Sequence, residues 1–177
     1  MTTYTGLKVN PLNPDPDTIC IRDIAHHLAL ECRYNGACLF HYSVAQHCVV
    51  GSYYVSLDSK LAFLLHDASE AYMHDLVKGL KDNISFYKEA EERLQKVIYK
   101  KFGVIDFDYA EIKRVDYALM AAEAKALISN TEGWSFPEPC LEVAITAWSC
   151  AMAEDLFMSN YEANRRIVSN VKLVNDC

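Results

Sequence analysis

The chain has 177 residues, of which 51% are hydrophobic and 23% are charged, a composition typical of one globular domain and not of a disordered segment. Its 17 basic and 24 acidic residues give a formal net charge of −7, which argues against binding to a nucleic-acid polymer or to an anionic membrane surface. No apolar run approaches the roughly 20 residues that a membrane span requires, so we expect a cytoplasmic protein.

The first 17 residues predict a loop-like N-terminal segment, because three prolines alternate there with asparagine and aspartate. Further along, proline is absent as far as residue 136, and apolar residues recur at helical spacing. This pattern predicts an all-α fold, a compact helical bundle that forms a single domain over residues 1–177. The predicted helices cover about residues 22–32, 42–55, 58–74, 84–102, 107–130 and 141–160.

Residues that favour caps and turns mark several of these helix ends. Gly36 lies between the first two predicted helices, and Gly103 follows the fourth. Asp58 and Ser59 can cap the third helix, because their side chains accept hydrogen bonds from backbone N–H groups. These signals support the division of the chain into separate helices.

The third predicted helix contains an unusual polar pair. Its apolar residues 61–65 run directly into His66 and Asp67. An imidazole and a carboxylate at the end of a buried turn must be paired, hydrogen-bonded or metal-bound, because an isolated buried charge is costly. On a helix, Glu70 follows four residues after His66, so its side chain projects from the same face. The segment therefore predicts a metal site with a carboxyl group beside it.

His47 and Asp116 are the best candidates for further ligands, because each interrupts the apolar stripe of another predicted helix. Each residue also has a simpler interpretation. A single buried histidine is often only a hydrogen-bonded core residue. Asp116 could instead pair with Lys113 or Arg114 at the surface.

The order of these residues carries a family resemblance. A first histidine, an adjacent His-Asp pair and a distant aspartate resemble the HD-domain phosphohydrolases. The motifs Ser-Val-Ala-Gln-His, ending at His47, and Leu-Leu-His-Asp-Ala-Ser-Glu, ending at Glu70, are similar to those of bacterial 5′-deoxynucleotidases and their phage-encoded relatives. The resemblance covers about residues 20–130 and departs at Ala37, where a histidine is expected, and at Gly79, where relatives usually carry proline.

The resemblance implies an HD-type helical bundle with a bound divalent metal ion. Its ligands would be His47, His66, Asp67 and Asp116. Two imidazoles and two carboxylates suit Mn, Co, Zn, Fe(II) or Mg, and the sequence does not distinguish among these ions. A second metal ion is compatible with the same chemistry.

The resemblance also implies catalytic roles for Glu70, which would relay protons, and for Asp75, which would orient water or hydrogen-bond the nucleotide. Phosphate charge requires cations as well. Arg33, Lys78 and Lys81 are the cations nearest in sequence to the motifs, and Lys81 is the preferred phosphate contact.

The function implied by the resemblance is metal-dependent hydrolysis of a deoxynucleotide phosphate, a small-molecule substrate, by a homo-oligomer. Two reactions stay open: a triphosphate, with dATP as one candidate, could yield nucleoside plus triphosphate, or a monophosphate could yield nucleoside plus phosphate. The alternatives are an alarmone or cyclic-nucleotide phosphodiesterase and a non-catalytic nucleotide-binding sensor. The expected location is the cytoplasm of a bacterium, or of the host cell if the protein is phage-encoded.

Overall fold

The computed structural model describes residues 1–136 and 140–175, with side chains described as far as Arg165. Within these ranges the predicted all-α fold is confirmed, since the chain forms helices and no strand. None of the described helices combines the length and apolar character of a bilayer span. The helices are α1 (Ile21–Leu30), α2 (Val44–Ser52), α3 (Lys60–Leu64), α4 (Glu70–Met73), α5 (Lys78–Lys81), α6 (Ser85–Phe102), α7 (Tyr109–Leu127) and α8 (Cys150–Asn175).

Helix α2 lies at the centre of the molecule. All of its residues are buried, and it packs against α1, α3, α7 and α8. The Ser43 side chain caps its first turn by accepting a hydrogen bond from the Gln46 N–H. A buried helix that is packed on several sides holds its side chains rigidly, which suits it to carry a metal ligand.

The prediction of one continuous helix over residues 58–74 is wrong. Helix α3 ends at Leu64 and α4 begins at Glu70, so a turn separates them. The His66 ring nitrogen Nδ1 bonds the Phe63 carbonyl at 2.7 Å, which diverts this carbonyl from a regular helical partner. Ser59 precedes α3, but its side chain makes no capping bond. His66 and Glu70 therefore do not share one helix face; the turn brings them to the same cleft instead.

The prediction of a helix over residues 141–160 is wrong at both ends. Residues 141–149 are not helical, and α8 begins only at Cys150 and continues to Asn175. The Thr146 carbonyl accepts a 2.7 Å hydrogen bond from the Gln46 side chain, which ties this extended segment to α2. The Ser149 hydroxyl then accepts a hydrogen bond from the Met152 N–H, as a helix cap does.

Gly103 follows the end of α6, as predicted, and adopts the left-handed conformation.

Gly51 lies where α2 meets the ring of Phe63. A β-carbon at position 51 would lie 2.1 Å from Cε1 and 2.3 Å from Cζ of Phe63, and 3.1 Å from Cδ2 of Leu119. Both side chains are fully buried, so the ring has no room to move aside. We expect Gly51→Ala to lower the free energy of unfolding by at least about 2 kcal/mol in chemical denaturation.

Gly79→Ala is the matched control, because a β-carbon at position 79 meets nothing within 4 Å. Its free energy of unfolding should not fall below that of the wild type, because alanine is favoured over glycine within a helix. Wild-type stability of Gly51→Ala would contradict the close packing of α2 against α3.

Candidate metal centre

The four predicted ligands lie close together in the structure, and three of them, His47, His66 and Asp67, have the mutual spacing of a metal site. His47 comes from α2, His66 and Asp67 from the turn after α3, and Asp116 from α7. Asp116 Oδ1 lies 3.2 Å from His47 Nε2 and 3.7 Å from His66 Nε2. Asp67 Oδ1 lies 3.2 Å from His66 Nε2, and Asp67 Oδ2 lies 3.9 Å from His47 Nε2.

The hydrogen bonds of the two imidazole rings fix which nitrogen faces the centre. His47 Nδ1 donates to Glu123 Oε1 at 2.8 Å, and His66 Nδ1 donates to the Phe63 carbonyl at 2.7 Å. In a neutral ring the other nitrogen, Nε2, then carries the lone pair. Both Nε2 atoms are buried and face the carboxylates of Asp67 and Asp116 at distances of 3.2–3.9 Å. Two lone pairs that face two carboxylates fit a divalent cation.

The charges of the site favour a bound positive charge. Burial lowers the pKa of His66, but the Asp67 carboxylate and the hydrogen bond with Asp116 outweigh burial and raise this pKa well above its ordinary value. Burial raises the pKa of Asp116, but its bonds with His47 and His66 bring this pKa well below its ordinary range. Either protons on the imidazoles or a metal ion can supply the charge.

Glu123 is the functional residue that the sequence analysis missed. Its carboxylate is fully buried, orients His47 through Nδ1, and places Oε2 2.9 Å from Nε of Arg33. A carboxylate in this position selects the ring tautomer and increases the basicity of the ligand nitrogen. Glu123 follows Asp116 by seven residues, or two helical turns, so helical spacing was a signal that could have found it.

Arg33 lies inside the centre, not at its mouth. Besides its ion pair with Glu123, its Nη1 atom lies 3.7 Å from Asp67 Oδ2, and only 14% of its side chain is exposed. Its guanidinium therefore neutralises carboxylates that surround the candidate metal. The predicted direct contact between Arg33 and phosphate stays a prediction.

A cleft of about 540 Å³ opens beside the centre, between α6 and α7. Glu70 lines this cleft and is buried. Burial raises the pKa of Glu70 well above its ordinary value, and the carboxylates of Asp67 and Asp75 raise this pKa further. Lys81 also lines the cleft, but it already bonds Asp75 at 2.9 Å and Glu91 at 2.7 Å. Asp75 itself is half exposed and does not line this cleft.

Other polar and aromatic cleft residues were not predicted, and two of the three predicted cations, Arg33 and Lys78, are absent from the lining. Lys78 is exposed on α5 and lies outside the cleft wall. Lys96 on α6 and Lys113 on α7 line the cleft in its place, together with Tyr109 at the start of α7. These residues come from two helices whose pairing across the cleft no local motif reveals.

Comparison with known proteins gives two bacterial relatives, while no family model matches the chain. Over 125 residues the chain is 38% identical to the uncharacterized protein YfdR of Escherichia coli K12, an alignment that covers 71% of this chain and 70% of YfdR. Over 144 residues it is 32% identical to an uncharacterized protein of Rhodobacter capsulatus, with 76% and 74% of the two chains covered. The chain therefore belongs to the family that these two bacterial proteins represent.

Proposed function

We propose that this protein is an HD-type, metal-dependent phosphohydrolase whose substrate is a deoxynucleotide. One observation carries the proposal: the buried Nε2 atoms of His47 and His66 converge on the carboxylates of Asp67 and Asp116 within 4 Å. Such a mixed set of nitrogen and oxygen atoms is the donor set of hydrolytic metal centres. The cleft beside it has the volume of an ordinary small-molecule site.

A divalent ion held by these four residues would polarise a phosphoryl oxygen and lower the pKa of a water molecule. The chain supplies the remaining functions. Glu70 lines the same cleft as His66 and Asp116, so its carboxyl group is placed to move a proton to or from the reacting phosphate. Asp75 acts as a positioning residue, because it holds Lys81 at the cleft wall.

The test assays metal-stripped protein, with and without Mn, Co, Zn or Mg, on deoxynucleoside mono- and triphosphates, alarmones and cyclic nucleotides, with the products separated by chromatography. Nucleoside plus orthophosphate from monophosphates would identify a nucleotidase. Nucleoside plus intact triphosphate would identify a triphosphohydrolase, and the preferred base would test dATP. Turnover of alarmones or cyclic nucleotides alone would identify a phosphodiesterase and not a deoxynucleotide hydrolase. Nucleotide binding without turnover under any metal would contradict an enzymatic function and favour a sensor.

We also propose that the protein forms a homo-oligomer. Light scattering measures its mass in solution and tests this proposal.

Metal binding should stabilise the fold, because the four ligands come from three separate places in the chain. At a metal concentration 100 times Kd, a ligand that binds only the folded state adds about 2.7 kcal/mol. For a chain of this length we expect Tm to rise by about 5–10 °C with the preferred ion, as measured by calorimetry. Excess chelator should reverse the rise. A Tm that no divalent ion changes would contradict the site.

A further inference from the structure

We propose that Tyr109 is the platform on which the base of the nucleotide stacks, and that Lys113 is the cation that contacts its phosphate. This inference rests on the proposed function and names residues that determine its substrate class. The ligand would carry a planar ring at one end and an anionic group at the other, as a 5′-nucleotide does.

The spacing along α7 places the two residues in line with the candidate metal. Tyr109, Lys113 and Asp116 are separated by four and three residues, so they lie on one face of the helix, and all three line the cleft. At about 1.5 Å per residue, Tyr109 lies roughly 10 Å along the helix from Asp116, with Lys113 between them. The sugar of a nucleotide separates its base from its phosphate by a comparable span.

Lys113 differs from the other two lysines of the cleft in its partners. Lys81 is bound by two carboxylates, and Lys96 lies 3.9 Å from the carboxylate of Glu92. In the described part of the chain, Lys113 forms no ion pair within 4.0 Å; its Nζ lies over the ring of Tyr109, 5.5 Å from the centroid. Its charge is therefore available to a phosphate, while its contact with the ring steadies the tyrosine.

Tyr109 is presented to a ligand and not to the core. Its side chain is 62% exposed although it lines the cleft. Neighbouring apolar side chains of the same cleft make this end a surface for a flat ring: Phe107 packs edge-on against Tyr99, with 5.3 Å between centroids, and Ile112 is buried beside them. A bare sugar phosphate would fill only the charged end of the cleft. A nucleotide would fill both ends.

The experiment measures binding by calorimetry, with dAMP and deoxyribose 5-phosphate as probes, on metal-free protein, which prevents turnover. Stacking of one base on an aromatic side chain corresponds to about a tenfold gain in affinity or more. We expect wild type to bind dAMP at least about tenfold more tightly than deoxyribose 5-phosphate. Tyr109→Ala should remove that difference by weakening dAMP alone, and Tyr109→Phe should keep it.

Tyr117→Ala is the matched control. Tyr117 lies on the same helix, is 49% exposed and also contacts the Lys113 ammonium, at 5.9 Å, but it does not line the cleft. This variant should bind both probes as wild type does. Lys113→Met should weaken both probes, because each carries the phosphate.

Three results would overturn the inference: dAMP binding that Tyr109→Ala leaves unchanged, equal loss of both probes in that variant, or wild-type protein that prefers neither probe. Failure of the proposed function gives a different result. In that case no nucleotide is hydrolysed with any metal, although the dependence of dAMP binding on Tyr109 persists.

Discussion

Asp116→Asn should abolish tight metal binding and, with it, nucleotide hydrolysis. Asp116 Oδ1 lies within 3.7 Å of the Nε2 atom of each candidate ligand histidine, so a single oxygen of this carboxylate faces both rings. Even a residue that only orients a ligand changes metal affinity or activity by about 10–100-fold, so removing a ligand charge should lower both by at least about 100-fold. Calorimetric titration with Mn²⁺ and the turnover panel measure the two losses.

Asp155→Asn is the matched control for this change, because Asp155 is an exposed carboxylate on α8 that does not line the cleft. It should bind Mn²⁺ and turn over substrate as wild type does. If Asp116→Asn retained the Mn²⁺ affinity of the wild type, Asp116 would not be a ligand and the site would have to be reduced to His47, His66 and Asp67.

Glu123→Gln should weaken both the metal centre and the fold. The glutamine keeps the size of the side chain but removes the charge that orients His47, and we expect metal affinity to fall by about 10–100-fold. The same change removes the carboxylate that pairs with the guanidinium of Arg33, whose side chain is mostly buried. Removing one partner of a buried ion pair lowers the free energy of unfolding by roughly 3 kcal/mol, which chemical denaturation measures.

Two further variants separate these effects. Glu111→Gln removes a carboxylate from the same helix, one that accepts hydrogen bonds from Ser56, and should leave metal affinity unchanged. Arg33→Met combined with Glu123→Gln removes both charges, and should regain part of the lost stability while metal affinity stays low. Recovery of metal affinity in the double variant would show that Glu123 acts only on folding.

The candidate ligands could be selected from the sequence because each one stands in a local motif. A histidine or aspartate that interrupts an apolar helical stripe is visible without knowledge of the fold, and the order of the motifs indicates which of them meet. The break between α3 and α4 was not predictable in the same way. At the break the His66 ring and the His66 N–H both bond the carbonyl of Phe63, while the helical periodicity of the sequence continues through this point.

The partners of the charged residues could not be predicted, because they are remote in sequence. Arg33 and Glu123 are 90 residues apart along the chain, yet their atoms lie 2.9 Å apart. Nearness in sequence to the motifs therefore selected Arg33 and Lys78 as phosphate contacts, although the first is held by Glu123 and the second lies outside the cleft. Pairing across helices, and not local spacing, decides which cations face a ligand.

The most direct test of the central claim, that these four residues hold a divalent ion, is anomalous X-ray diffraction from crystals of the protein grown with Mn²⁺. The account predicts one anomalous peak within about 2.0–2.3 Å of His47 Nε2, of His66 Nε2 and of one oxygen from each of Asp67 and Asp116. No peak at this position, or a peak bound only by other residues while these imidazoles bond directly to the carboxylates, would contradict it.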